Sequence, residues 1–216
     1  MATTAADQST TARGRMRAGG GGIVPAAVGG LLFGVLTNLA QGWLPGAWNQ
    51  IANSGAVWSV AAFAAGALPY RRASVLRAAI GGLAAEVGLV VGYYGYAEYG
   101  YGRAGMGDLY WPLVWLGMAC VAGPLFGAAG HWWRHGRNRA RRVTGPAALA
   151  GVFGMEGLHY AWTLHYAPQA WAFLICSVLV ALLMPRTHKE RALTLGAAVA
   201  FAFLAYALVE LPLGML

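Results

Sequence analysis

Seven apolar stretches dominate this chain, and each is long enough, or nearly long enough, to cross a bilayer as a helix. A helix needs roughly 20 mostly apolar residues to cover about 30 Å of hydrocarbon at 1.5 Å per residue. The stretches do not alternate between apolar and polar residues, as the strands of a membrane barrel would. We therefore predict an all-α, polytopic transmembrane helix bundle with seven spans, at residues 23–40, 54–69, 78–97, 109–133, 147–166, 169–185 and 192–214.

The composition excludes the main soluble classes. Only 10% of the 216 residues are charged and 58% are hydrophobic, whereas a soluble domain carries about 25% charged residues. A disordered chain would need low hydrophobicity, and two cysteines cannot form a disulfide scaffold. Apolar surface on this scale is stable against lipid, so the bilayer is the predicted partner.

The positions of the basic residues predict the orientation of the bundle. Fourteen of the 15 Lys and Arg residues lie on one side if the amino terminus is cytoplasmic, and Arg103 is the exception. The positive-inside rule then places the amino terminus in the cytoplasm and the carboxyl terminus outside. We interpret the run 134–142 as a juxtamembrane stretch that attracts anionic lipid headgroups, and we expect no nucleic-acid partner.

Domain organisation is predicted to be simple. Residues 1–22 contain Ala, Thr, Gly and Arg without hydrophobic periodicity and end in four glycines, which is typical of a disordered tail. Residues 23–216 are predicted to form a single seven-helix transmembrane domain.

Two acidic residues lie inside predicted membrane spans, where a charged side chain is energetically unfavourable. Glu86 and Glu156 fall inside predicted spans that contain no Lys or Arg, and a charged carboxylate at the bilayer centre costs about 2.5–3.5 kcal/mol. We hypothesise that both are neutral acids, because burial favours the protonated form. Each lies eight or nine residues after the start of its predicted span, so we expect the carboxyl groups to meet at one depth. Glu210 is expected to be a solvated residue near the outer end.

A polar stripe extends from Glu156 along the fifth span. Glu156, His159, Tyr160 and Thr163 share one helical face. The Glu–x–x–His spacing matches half of a two-metal carboxylate site, but a second such motif is missing, and we predict neither a metal nor a cofactor. The stripe then forms either an interhelical hydrogen bond or a functional proton donor. The candidate catalytic residues are Glu86, Glu156, His159 and Tyr160.

Deep aromatic residues and an uncharged loop supply the candidate binding residues. Aromatic residues expected below the interfacial belts either line a pocket or fill the core. The loop 41–54 is rich in amides and carries no charge, so it forms a lid or short interfacial helix, or its polar residues cap the second span, with Asn53 or Ser54 as the N-cap. The predicted substrate-binding residues are Tyr93, Trp58, Trp115, Trp162, Asn49 and Asn53.

One stretch carries a family resemblance. The segment Leu39–Trp58, with sequence LAQGWLPGAWNQIANSGAVW, together with Phe63–Ala67 and Gly92–Tyr94, resembles a family of small actinobacterial multi-pass membrane proteins of unknown function. The resemblance covers roughly residues 25–210 and implies a bundle in the bacterial plasma (inner) membrane. In size and span count the chain is also similar to seven-span membrane terpene cyclases, which are thought to use buried carboxyl groups as acids. No cyclase motif matches residue by residue.

These observations lead to three functional hypotheses. The most concrete is an enzyme acting on a lipophilic small molecule, a protonation-initiated isoprenoid cyclase with a buried glutamic acid as proton donor. The alternative is a proton-coupled transporter or the substrate-binding membrane component of an uptake system. The third is a membrane assembly protein without a small-molecule site.

Overall fold

The described part of the chain is helical. A computed structural model describes residues 22–68, 74–100, 102 and 109–213, and no strand occurs among them. The predicted tail, apart from Gly22, lies outside the described residues. The elements are α1 (Ile23–Trp43), a 3-10 turn (Gly46–Trp48), α2 (Asn49–Ala52), α3 (Gly55–Ala67), α4 (Val75–Tyr99), α5 (Tyr110–His135), α6 (Arg139–Trp162), α7 (Ala167–Leu183) and α8 (His188–Leu213).

This is a membrane protein. Helices α1, α4 and α5 and the His188–Leu208 part of α8 are long and apolar enough to cross a membrane. Helix α7 is apolar but has 17 residues, and α3 has only 13. Helix α6 starts within the basic run, which lowers its mean hydropathy. Seven helices of 13 or more residues are therefore present in the described residues. That all seven cross the membrane, and in which orientation, stays a prediction.

Three helices, α4, α6 and α8, begin three or more residues before the predicted spans. Helix α4 begins at Val75, where the Ser74 hydroxyl accepts a hydrogen bond from the Arg77 amide, and α6 begins at Arg139, where Asn138 caps the Arg141 amide. Hydropathy identifies the apolar part of a helix and ignores the polar turns that caps add before it. Glu86 therefore lies 11 residues and Glu156 lies 17 residues after the first residue of its helix, and the equal depth of the two acids in the membrane stays a prediction.

The predicted loop 41–54 is compact. It contains the 3-10 turn and the single-turn helix α2, so the expectation of a short helix is confirmed. The alternative, that polar loop residues cap the second span, also holds in part, because the Ser54 hydroxyl accepts a hydrogen bond from the Val57 amide at 3.1 Å. Ser54, rather than Asn53, is thus the N-cap of α3.

Glycines bring the backbones of α1 and α4 into contact. A Cβ atom added to Gly30 would overlap the backbone of Ala85, and one added to Gly34 would overlap that of Leu89. The residue numbers rise together, so the two helices run parallel. Lipid is as apolar as these helices, so close packing through small residues is what holds them together.

An ion pair joins the first turns of α6 and α8 at one end of the bundle. The Arg142 guanidinium lies 2.8 Å from the Glu190 carboxylate, whose other oxygen accepts the Arg186 amide at 3.2 Å. The Thr187 hydroxyl accepts the Glu190 amide at 3.2 Å. The α5–α6 and α7–α8 connections, both basic, therefore lie at the same end, which we call the basic end.

Replacing Arg142 with methionine should lower the free energy of unfolding by about 2 kcal/mol, because it leaves the Glu190 carboxylate buried without its cation. The effect is smaller than for a fully buried pair, since the Arg142 side chain is 27% exposed and that of Glu190 is 3% exposed. Thermal unfolding in detergent measures the change. Arg141→Met, at an exposed neighbouring residue, is the matched control, and equal stability of the two variants would show that the pair contributes nothing.

Candidate functional site

A large cavity lies between the helices. Its volume is about 1310 Å³, above the usual 300–1,000 Å³ of ligand pockets. Residues of α3, α5, α6 and α8 form its walls, the loop around α2 closes one end, and Glu86 reaches it from α4. On α5 the lining residues extend from Val114 to Trp132, which is about 27 Å of helix.

The cavity reaches the surface between α5 and α8. These two helices are not among the described pairs that pack extensively. Leu125 of α5 and Leu204 of α8 both line the cavity and are 51% and 56% exposed. The rim is therefore apolar and lies on faces that suit contact with lipid chains.

Glu86 lies at the cavity wall, on a helix that is packed on both sides. Its helix packs on one side against α1, where Gly30 meets Ala85, and on the other against α5, where Gly82 meets Gly123. The residue is 3% exposed, and its Oε1 atom is buried without a hydrogen-bond partner in the described part of the chain. An unsatisfied buried carboxyl oxygen is costly, so this atom is a candidate contact for a bound molecule.

Glu156 has a partner that the sequence did not indicate. Its Oε1 atom accepts a hydrogen bond from the Ala56 amide at 3.3 Å, in the first turn of α3. The N-terminus of a helix carries a partial positive charge. A Cβ added at Gly55 would lie 3.4 Å from the same oxygen, an ordinary contact distance, so the carboxyl group lies directly against the first turn of α3. Glu86 and Glu156 thus line one cavity in different surroundings.

Two of the predicted aromatic residues form part of the cavity wall. Trp58 and Trp115 line it, with ring centroids 4.6 Å apart, and the Trp58 indole donates a hydrogen bond to the Ala52 carbonyl at 3.2 Å. Tyr93 lies behind Trp58, at 5.3 Å, and its hydroxyl donates to Gln41, which lines the cavity. Tyr93 therefore supports the wall and is not among the residues that form it.

The polar stripe on α6 is shorter than predicted. His159 and Tyr160 line the cavity, and the Tyr160 ring packs against Phe173 at 5.1 Å. Thr163, the C-cap of α6, does not line the cavity, and its hydroxyl lies 3.3 Å from the Tyr206 hydroxyl in an exposed position.

Two predicted binding residues lie elsewhere. Trp162 does not line the cavity: it is 53% exposed and packs against Tyr206 with ring centroids 5.4 Å apart. Asn49, at the start of α2, does not line the cavity, whereas Asn53 does, with its Oδ1 atom buried and without a partner in the described residues. Glu210 lies outside the residues whose side chains are described.

Several lining residues were missed by the sequence reasoning. They are Gln41, Gln50, Ser54 and Ser59 near α2, Trp132 and Thr144 near the basic end, and the apolar residues Phe201, Leu204 and Leu208 of α8. The last three recur at helical spacing, but an apolar stripe facing a cavity has the same pattern as one facing lipid. In the part of the chain that is described, no three His, Cys, Asp or Glu side chains converge as a metal site.

The comparisons with known proteins identify the family and no reaction. Residues 14–215 match the model of a family of unknown function, DUF6518. No curated protein and no solved structure matches the chain significantly. Because the match extends over nearly the whole sequence, the chain belongs to the DUF6518 family of unknown function.

Proposed function

We propose that this protein is a membrane-embedded isoprenoid cyclase that protonates a lipophilic polyene, with Glu86 as the acid. The observation that carries the proposal is a buried carboxyl group, with one oxygen lacking a hydrogen-bond partner in the described residues, in the wall of a cavity with an apolar side opening. A neutral carboxylic acid in a site without water is the group needed to protonate an alkene.

The reaction balances without a co-reactant. The Glu86 carboxyl transfers its proton to one carbon of a terminal double bond, and the other carbon becomes a cation. A neighbouring double bond supplies the electron pair for a new carbon–carbon bond. The last cation loses a proton from an adjacent carbon to the Glu156 carboxylate, which forms an alkene. The product is an isomer of the substrate, and water restores both protonation states after release.

The two carboxyl groups suit different steps because their surroundings differ. Glu86 lacks a neighbouring cation or helix terminus among the described contacts, which favours a proton donor. Glu156 accepts the Ala56 amide at the start of α3, and this partial positive charge favours the carboxylate and hence a proton acceptor. The proposal therefore keeps only Glu86 as a neutral acid. Trp58 and Trp115 present aromatic faces that stabilise a travelling cation, by up to about 2 kcal/mol each in a desolvated site.

Purified protein in detergent, without any ion gradient, tests the proposal. Squalene and geranylgeraniol are the probes, and mass spectrometry should detect products of unchanged mass with fewer double bonds. If neither polyene is converted by the folded protein, the proposed cyclase activity is wrong for these substrates and the proposal falls.

Glu156→Gln should slow conversion by about a hundredfold or more, because the final cation loses its base. The remaining product should include an alcohol formed by water capture, visible as an added water in the mass spectrum. Glu98→Gln is the control, since Glu98 lies on α4 away from the cavity lining. A Glu156→Gln protein with the wild-type rate and product would remove Glu156 from the mechanism.

One observation favours transport as a second candidate. The lining residues of α5 extend over about 27 Å, close to the thickness of the hydrocarbon core. Substrate uptake into sealed vesicles that stops on addition of a protonophore, combined with no conversion in detergent, would support a proton-coupled transporter over the cyclase.

A further inference from the structure

The polar groups of the cavity are concentrated at one end. Gln50, Asn53, Glu156 and His159 all lie around α2 and the start of α3. Towards the basic end the lining is apolar apart from Trp132 and Thr144. The cavity is therefore amphipathic along its length, like the molecule it should hold.

We infer that the site takes an amphiphile with one hydrocarbon chain and an uncharged hydroxyl or phenol head, and that it discriminates against phosphorylated heads. This inference rests on the proposed function and specifies its substrate class. The head lies at the α2 end, and the chain extends along α5 and α8 and enters sideways from the bilayer.

A hydrogen-bond acceptor at the α2 end favours a head group that can donate a hydrogen bond. Asn53 lines the cavity, and its Oδ1 atom lacks a partner in the described part of the chain, so we expect a ligand bound beside Asn53 to donate a hydrogen bond to it. A hydroxyl donates such a bond, whereas an ether does not. The second unsatisfied acceptor, Glu86 Oε1, lies along the wall of the same cavity.

The charge of the wall excludes an anionic head. No Lys or Arg is among the described residues that line the cavity, whereas two glutamates are. A diphosphate buried beside carboxyl groups would have no cation to balance it, and like charges placed together repel each other. The same argument disfavours a phospholipid headgroup as occupant.

The opening between α5 and α8 determines how the hydrocarbon chain of the ligand enters the cavity. Leu125 and Leu204 flank it from opposite helices and are both more than half exposed, so a hydrocarbon chain passes between apolar surfaces from lipid to cavity. No desolvation of charged groups is required along this route, since the described rim residues are apolar.

Three matched probes test the head on the wild-type protein in nanodiscs. Tryptophan fluorescence should report binding, because Trp58, Trp115 and Trp132 line the cavity. Geranylgeraniol should bind about tenfold more tightly than its methyl ether, which lacks the donor. Geranylgeranyl diphosphate should bind at least about a hundredfold more weakly than the alcohol. Equal or tighter binding of the ether or the diphosphate, or displacement of the alcohol by phosphatidylglycerol, would overturn the inference.

Two asparagines on the same short segment provide a matched pair of variants. Asn53→Leu should remove the preference for the alcohol over the ether, whereas Asn49→Leu, outside the cavity lining, should keep it. If Asn53→Leu does not fold, the wild-type probe series still decides. An unchanged preference in folded Asn53→Leu would show that Asn53 does not recognise the head. Because the assay measures binding alone, selective binding without conversion would refute the cyclase proposal and leave this inference intact.

Discussion

Glu86→Gln should abolish polyene conversion, with a loss of about 10²–10⁴-fold, because the amide keeps the shape of the side chain and has no acidic proton to transfer. The unfolding temperature in detergent should not fall, since an amide is no harder to bury than a carboxyl group whose Oε1 atom has no partner in the described residues. Rates measured at saturating substrate separate this chemical defect from weaker binding.

The control is Glu98→Gln on the same helix, which removes an acidic group outside the cavity lining and should keep the wild-type rate. Glu86→Asp gives a further check, because it retains an acid but withdraws it by one methylene. Its activity should lie between that of the wild-type protein and that of Glu86→Gln. Full turnover by folded Glu86→Gln would show that the proton comes from another group.

Gly30→Ala should prevent stable folding, with a loss in the free energy of unfolding of more than about 4 kcal/mol. The added methyl would overlap the backbone of Ala85, and a backbone cannot move aside as a side chain does. Separation of α1 from α4 would also release the support on one side of Glu86. Unfolding by increasing denaturant in mixed micelles measures the loss.

The neighbouring Gly29 is the matched control. A Cβ added there meets nothing within 4 Å, so Gly29→Ala should be neutral or should stabilise α1 by up to about 1 kcal/mol through helix propensity. Equal stability of the two alanine variants would contradict the packing of α1 against α4.

The sequence predicted the apolar helices well, because a bilayer demands long apolar runs and these are visible without any tertiary information. The prediction was weakest at helix starts. Asn138 and the basic residues after it extend α6 by two turns before the predicted span at 147–166, since capping depends on local polar contacts and not on hydropathy.

The candidate site was predicted in part. Composition singled out Glu86 and Glu156 because uncompensated acids are rare in apolar helices, and both line the cavity. Helical spacing could not reveal that Trp162 and Thr163 lie outside the cavity lining, because a periodic pattern defines the face of a helix and not what that face contacts.

The sequence by itself determined that this protein is helical and embedded in lipid, and it identified the acids that have no basic residue in their predicted spans. These properties follow from composition and from contacts between near neighbours. Only the tertiary structure decided that the Ala56 amide meets Glu156 across 100 positions of the chain, and that α5 and α8 leave an opening between them. The physical reason is that helices in lipid pack through the shapes of small residues, and these shapes act between distant segments whose pairing no local pattern specifies.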